Sequence, residues 1–456
     1  MRRHATMEWL LQTLAGYADR QAMVRGERSI TYADLLASCR SWSGRIREHG
    51  IQPGEVVSLE GDYSPSACGA MLALLANRNV IVPLSASVRH RRDELAEIAQ
   101  VDRSIVFDGG PEAAVRTLAR SGHAGLLDTF IKEEKPGLVL FTSGTTGRPK
   151  AILHDFAAFL ERYKAPRDTL RTLTFLLFDH IGGINTMFHT FANGGTIIAP
   201  DSRTAPAICA LIERHRIELL PASPSFLNLL LLSGVHRDYD LSSLRIITYG
   251  TEVMPDATLN AARLAFPEAQ LRQTYGLSEL GILRAKSRAS GSPWLRIGGE
   301  GIETRIVDGV LHIRSGTAMR GYLNAPNPFD EEGWFDTQDE VLEDGGYIRI
   351  LGRRSEVINV GGRKVYPVEV EDVLLQMPEV ADAAVRGEPN PLLGSIVAAA
   401  VNVQEPLEPS ELKARIRSFC RGKLEEYQIP VKIEIRQGEL YTDRYKKIRK
   451  EQLPGR

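Results

Sequence analysis

The sequence predicts an α/β protein with a large N-terminal body of helix-covered sheets, a β-rich subdomain within it, and a small α+β domain at the C-terminus. Three observations lead there. Short apolar runs of strand length alternate with stretches of helical periodicity as far as residue 249, and each run stops at Gly, Pro, Ser or Thr. Beyond about Gly298 the texture changes to short strands and turns. Beyond residue 352 a new α+β pattern begins.

In chain order, apolar residues recur at helical spacing over residues 32–49 until Gly50 stops the pattern, which predicts a helix. A strand follows at 56–59, a second helix at 66–76, and strands at 79–84 and 104–107. Further buried strands are predicted at 137–141, 196–199, 218–220 and 245–249. Helices separating strands this short and apolar suit a parallel or mixed sheet covered by helices. The β-rich subdomain has strands at 304–307, 310–313 and 347–350, and the boundary is placed at the run Gly352, Arg353, Arg354, Ser355. After it come a helix at 367–376, strands at 381–385 and 396–403, and a helix at 408–420. The expected division is 1–352 and 353–456, the second part being about a hundred residues, a common domain size.

Composition removes several function classes. With 57 acidic against 56 basic residues among 456, the chain lacks the basic excess of a nucleic-acid binder. Cys39, Cys68, Cys209 and Cys420 stand singly with no CxxC pair, which argues against a zinc site or a disulfide framework and suits a reducing cytoplasm. Glu8, Gln12 and Asp19 interrupt the N-terminus, so no signal peptide is expected, and Pro221, Pro224 and Asn228 break the most apolar stretch, so no membrane span is expected. Small-molecule chemistry is the remaining expectation.

The chemistry concentrates in a few motifs. At 138–150 a buried strand opens into a loop containing Thr142, Ser143, Gly144, Thr145 and Thr146 and closing on Lys150. Backbone N–H groups, hydroxyls and one cation face a polyphosphate well, although the spacing is not that of a Walker A loop. Tyr275, Gly276, Leu277, Ser278 and Glu279 form a second motif, and residues 333–339 (Gly-Trp-Phe-Asp-Thr-Gln-Asp) a third. Residues 351–362 run from Leu351 through Arg353 and Ser355 to Gly361 and Gly362, and a basic run near the end holds Lys446 and Lys447 before Ile448.

Together, in this order, these motifs resemble those of the adenylate-forming superfamily that includes acyl-CoA synthetases, peptide-synthetase adenylation domains and beetle luciferases. The likeness begins at residues 30–35 and spans nearly the whole chain. It implies a mobile C-terminal domain and an acid–thiol ligase of the acyl- or aryl-CoA type. Such an enzyme adenylates an aliphatic or aryl carboxylic acid with ATP and Mg²⁺, then transfers the acyl group to CoA.

The resemblance also implies roles. Thr142, Ser143, Gly144, Thr145, Thr146 and Lys150 would hold the phosphates, Thr145 acting in catalysis, and Glu279 would hold Mg²⁺. Tyr275 and Ile350 would lie near the nucleotide, with Asp339 accepting both ribose hydroxyls, a bidentate arrangement, and Arg353 contacting ribose and phosphate. Gly250, Thr251 and Glu252 match the turn bordering adenine and acyl group. Ser355 would be the pivot of a domain rotation that brings Gly361, Gly362 and Lys364 to a pantetheine arm; glycine suits that approach because it has no Cβ. Lys447 is expected as the adenylation lysine, with Lys446 the competing candidate.

His180, Gly183, Tyr249 and Gly276 are expected to line the substrate pocket. Asp179 is inserted between Phe178 and His180. The position at which amino-acid-activating relatives carry their amine-binding Asp falls near Ile181, two residues away, which disfavours an α-amino acid substrate. Three departures stand out: Gln338 where the family has Gly, Ser355 at the pivot, and the residues around Lys447. Two other readings remain open here. A stand-alone enzyme loading the phosphopantetheine of a separate acyl carrier protein presents the same thiol, and a noncatalytic nucleotide binder accounts for the departures.

Overall fold

The computed structural model describes residues 5–107, 113–118, 122–142, 148–403, 408–436, 440–442, 445 and 447–448. Among them, two seven-stranded sheets form the N-terminal body. The first runs, edge to edge, Gln270–Gln273, Ile246–Tyr249, Leu219–Ala222, Arg171–Leu173, Thr196–Ala199, Gln21–Arg25, Arg28–Thr31. The second runs Gly321–Tyr322, Lys150–Asp155, Gly137–Thr142, Val80–Leu84, Val56–Glu60, Arg103–Val106, Ala114–Thr117. The inner strands pair in parallel except Lys150–Asp155, which runs antiparallel to Gly137–Thr142, and helices make the parallel crossovers, as the alternating pattern predicts.

Local chemistry sets the helix ends. Thr31 and Asp34 close a capping box on Tyr32–Glu48, and Ser64 with Pro65 starts Pro65–Ala76. These two helices pack closely because Gly69 allows it: a Cβ there would sit 2.3 Å from Ser38 Oγ.

The β-rich subdomain is a six-stranded sheet ordered Ala285–Ser287, Leu295–Ile297, Tyr347–Arg353, Phe335–Asp344, Val310–Ser315, Ile302–Val307. It begins before Gly298, and its ten-residue strand Phe335–Asp344 was not among the predicted elements. The C-terminal part has its own sheet and its own core, in which Val360, Val370, Leu374, Val385, Val397, Leu412 and Ile416 pack together. The predicted strand at 381–385 extends to Val380–Asn390 because the polar Arg386–Asn390 stretch pairs with the other arm of a long hairpin, Gly394–Val403. All four cysteines are buried and free. Among the described residues no helix is long and apolar enough to cross a membrane.

Pairing in the second sheet positions the site. Thr142 is opposite Lys150, so these two motif residues meet at the C-terminal end of a buried strand, the usual ligand position in such sheets. Tyr322 pairs with Ile152 on the other side of the Lys150 strand.

Candidate active site

A short hairpin, Tyr275–Leu277 with Gly281–Leu283, carries two candidate residues at once. Tyr275, on its first strand, donates its hydroxyl to Asp339 Oδ2 at 2.6 Å. Asp339 is 6% exposed, and the antiparallel pairing Asp339↔Arg353 brings the Arg353 guanidinium to its other oxygen, Nε to Oδ1 3.3 Å. Burial pushes the Asp339 carboxyl above the usual carboxylate range against the pull of Arg353 and Tyr275. The Tyr275 phenol is raised well above its ordinary value, first by burial and then by Asp339, so it stays a donor.

The turn of the same hairpin carries Glu279. Its Oε1 accepts from Tyr322 at 2.8 Å, and the Lys150 ammonium stands 5.0 Å from the centroid of that ring. Backbone contacts fix the turn. Met319 N donates to Glu279 O at 2.7 Å, buried His154 Nε2 meets Ser278 O at 2.7 Å, and Arg162 Nη1 donates to Ile282 O at 2.6 Å. Burial lowers the His154 pKa to about 4, so the ring is neutral and donates to that carbonyl. The donor to Asp339 and the carboxylate that accepts from Tyr322 therefore stand on one hairpin. Gly276 makes the hairpin tight, since a Cβ there would lie 2.8 Å from Gly281 O.

Gln338, in place of glycine, has φ 62°. The left-handed region costs a non-glycine residue on the order of 1–2 kcal/mol; here Gln338 N donates to Asp336 Oδ1 at 2.8 Å, which offsets part of it. Gln338→Gly is expected to leave the midpoint of thermal unfolding within a few degrees, whereas the β-branched Gln338→Val lowers stability by about 1–2 kcal/mol. Equal midpoints for the two variants would contradict this.

Gly250 lies against the residue preceding Tyr275: its Cβ would meet Thr274 Oγ1 at 2.5 Å. Thr251 follows with φ 72°. Glu252 accepts from Ser225 Oγ at 2.7 Å and, on its other oxygen, from Lys447 N at 2.6 Å. A small, shallow cleft lies here, bordered by Pro224, Ser225, Asn228, Glu252, Thr258 and Lys447.

Several expected residues stand elsewhere than the resemblance implies. The Lys447 backbone docks on Glu252, but its ammonium turns back into the C-terminal sheet, 2.7 Å from Asp382 Oδ1 and bonded to Ala383 O. Both side chains of that ion pair are buried, 6% and 4% exposed. Lys364 pairs with Glu340 in this orientation. The Tyr249 ring is buried in the core of the first sheet, its hydroxyl 3.4 Å from Ser292 O. Gly183 serves close packing, because a Cβ would lie 1.9 Å from Leu177 O.

His180 caps the helix Ile181–Ala192, its Nδ1 accepting from Gly182 N at 3.0 Å. Asp179 is buried and accepts from Ser85 Oγ at 2.8 Å, which engages the inserted carboxylate in anchoring the loop after Val80–Leu84. Ile350 lies partly buried on Tyr347–Arg353. Ser355 is exposed in the short turn Arg354–Glu356. Gly361 and Gly362, at φ 58° and 85°, form an exposed turn. Ser143, Gly144, Thr145, Thr146 and Lys446 lie outside the described residues.

Sequence reasoning missed Tyr322, His154, Arg162, Glu340, Tyr366 and Asp382. Each acts through a partner distant in sequence, and only strand pairing reveals them; no local pattern marks Tyr322 as the donor to Glu279.

Comparison with known proteins places the chain in a family. The AMP-binding enzyme family model matches residues 10–323, and that of the AMP-binding enzyme C-terminal domain matches residues 369–446. The chain is 28% identical to an indoleacetate–CoA ligase of Aromatoleum aromaticum, over 93% of each chain. It is 26% identical to a 2-succinylbenzoate–CoA ligase of Bacillus licheniformis, over 92% of this chain and 94% of that one. Its fold is similar to that of the anthranilate CoA ligase AuaEII in complex with anthranoyl-AMP, with a TM-score of 0.82 at 20% identity, over 97% and 95% of the two chains. The hairpin, the Asp339–Arg353 strand pair and the separate C-terminal sheet all fall in an architecture of large N-terminal and small C-terminal domains, and the chain belongs to the AMP-binding enzyme family.

Proposed function

We propose that this protein is an AMP-forming acid–thiol ligase that activates an aliphatic or aryl carboxylic acid as its acyl-adenylate and passes the acyl group to CoA. The observation that carries the reading is the single hairpin that presents Tyr275 to Asp339 and Arg353 on one side and Glu279 to Tyr322 and Lys150 on the other. One end suits a ribose and the other a polyphosphate. The ligase names of the relatives support the thiol as acceptor, and their aromatic acids favour the aryl class.

In the first step a carboxylate oxygen attacks the α-phosphorus of ATP, forming a P–O bond while the bond to pyrophosphate breaks. Two anions approach one another, so the protein's work is positioning and neutralisation. Asp339 and Arg353 fix the ribose, and Lys150 places a positive charge at the base of the phosphate loop. In the second step the thiol, losing its proton, attacks the acyl carbon and the C–O bond to AMP breaks.

Among the described residues there is no group of three or more His, Cys, Asp or Glu side chains arranged as a metal cage. Glu279 as a lone carboxylate fits Mg²⁺, which takes one or two protein carboxylates together with substrate phosphates and water. When bound there, the ion supplies charge neutralisation between phosphate oxygens. Tyr322 orients Glu279, so Tyr322→Phe is expected to raise the Mg²⁺ concentration for half-maximal rate about tenfold, the scale of one hydrogen bond to a charged group. An unchanged metal requirement would remove Glu279 from this role.

The proposed domains are 1–352 and 353–456, pivoting at Ser355 between an orientation for each step. Lys447 is proposed as the adenylation lysine, held off by Asp382 until phosphate charge builds up. Free buried thiols are compatible with the proposed cytoplasmic location. A carrier protein's phosphopantetheine is the second reading, favoured by Leu392, 93% exposed beside the Gly361 turn, which offers a protein partner an apolar contact.

The test incubates the protein with ATP, Mg²⁺ and a panel of aliphatic, aryl and amino acids, with CoA or with a phosphopantetheinylated carrier, and reads products by mass spectrometry. Acyl-CoA from one acid class is the expected result. Acyl-AMP that ignores CoA but loads the carrier selects the second reading, and no product from any acid leaves the noncatalytic binder.

A further inference from the structure

Glu340 immediately follows Asp339 on Phe335–Asp344, and its side chain leaves the opposite face of the strand. It is 4% exposed, yet it is a carboxylate. Lys364 Nζ reaches both oxygens, at 2.8 and 2.9 Å, the Tyr366 hydroxyl donates to Oε2 at 2.5 Å, and Arg354 Nε stands 4.0 Å from Oε1. Burial alone would push this carboxyl upward; Lys364 and Tyr366 bring it below the usual carboxylate range. Glu340 lies before Ser355 in the chain, and Lys364 and Tyr366 lie beyond it.

Other hydrogen bonds among the described residues cross between the same parts, Asn228 Nδ2 to Ala381 O at 3.5 Å being one. Asp372 Oδ1 accepts from Ala257 N at 2.7 Å, capping a helix, Asp256–Ala265, whose own N-cap residue, Pro255, has no side-chain cap. Lys447 N donates to Glu252, and the Tyr445 hydroxyl donates to Arg203 O at 2.7 Å. Each of these uses backbone on one side. The Glu340 cluster is made of side chains on both sides and carries net charge interactions, so it discriminates one orientation from another more sharply.

The geometry points to Glu340 as an interdomain latch: its bonds to Lys364 and Tyr366 hold the C-terminal domain in the orientation seen here, and breaking them is part of the rotation that admits the thiol. This rests on the proposed pivot at Ser355. A rotation there carries Lys364 and Tyr366 away from Glu340 and leaves the buried carboxylate facing Arg354, which adjoins the pivot. A buried carboxylate that loses its partners is costly, so the cluster weights the two-state equilibrium toward the present orientation. It also makes the partners of Lys364 mutually exclusive. The ammonium pairs with Glu340 in this orientation and reaches a CoA arm only after the latch opens.

The test places spin labels on cysteines introduced at Glu48 and Ala414, both exposed and one in each part; the four native thiols are buried and do not compete. Distance distributions are recorded for the full chain with Mg²⁺ and ATP, and with AMP plus CoA. Wild type is expected to show one population with ATP and a second with AMP plus CoA. Glu340→Gln is expected to raise the ratio of second to first population at least threefold under both conditions, and Tyr366→Phe, which keeps the charge pair, to raise it by less. Two wild-type populations whose ratio neither variant changes would overturn the latch and leave the rotation standing. A single wild-type population under every ligand would overturn the rotation and the latch with it.

Discussion

Asp339→Ala is expected to lower kcat/KM for ATP in acyl-AMP formation at least a hundredfold. The substitution removes the buried carboxylate proposed to accept both ribose hydroxyls, and hydrogen bonds to a charged acceptor are worth about 1.5–3 kcal/mol each, so the pair amounts to about 3 kcal/mol or more. It also strips Tyr275 and Arg353 of their common partner. Acid sensitivity provides a second check. Burial holds the Asp339 carboxyl above the usual carboxylate range, so the ionised acceptor is lost, as pH falls, at a higher pH than for an ordinary aspartate. Arg353 opposes that shift; Arg353→Met therefore moves the acid limb of kcat/KM for ATP to still higher pH. Pyrophosphate exchange measured against pH reads both effects. A tenfold loss or less in Asp339→Ala, or an acid limb that Arg353→Met leaves in place, would contradict the ribose assignment.

Lys447→Ala is expected to have two separable consequences. It leaves Asp382 buried without its cation, and breaking a buried pair from one side costs about 3–5 kcal/mol. It also removes the positive charge proposed to meet the phosphate as the adenylate forms, for which a loss of about 10²–10³ in rate is expected by analogy with oxyanion donors. The double variant Lys447→Ala/Asp382→Ala separates them. Thermal stability returns most of the way, acyl-AMP formation stays lost, and thioester formation from supplied acyl-adenylate continues in both variants. Adenylation that returns together with stability would make Lys447 a structural residue of the C-terminal sheet and nothing more.

The sequence carried much of the fold because the relevant signals are local. Strands such as Gly137–Thr142 and Thr196–Ala199 are short apolar runs with clear stops, and Thr31 and Ser64 announce their helices. Phe335–Asp344 escaped notice because its buried positions include Thr337, Asp339 and Glu340, polar residues whose burial is supported by partners elsewhere in the chain. Local hydrophobicity cannot predict that. Asp339, Arg353, Glu279 and Lys150 are singled out by their motifs, and the structure places them around the hairpin that carries Tyr275 and Glu279. Tyr249 and Gly183 were read as pocket residues, but a buried strand end and a backbone approach account for them instead. The Lys447–Asp382 pair spans 65 positions, and the Glu340 cluster joins a β-strand to a segment beyond the turn at Arg354–Glu356. The first follows from how the C-terminal segment folds back on its own sheet and the second from how two domains are set against each other, and no spacing in the chain encodes either.

The central claim is that the acid is activated by bonding one of its own oxygens to the α-phosphorus. Its most direct measurement supplies the acid that gives product in the panel with both carboxylate oxygens labelled as ¹⁸O, runs the reaction with ATP, Mg²⁺ and CoA, and reads the nucleotide and phosphate products by mass spectrometry. One ¹⁸O per turnover in AMP, with none in pyrophosphate, is the predicted result. Label in inorganic phosphate with ADP as the nucleotide, or unlabelled AMP beside the thioester, would contradict it.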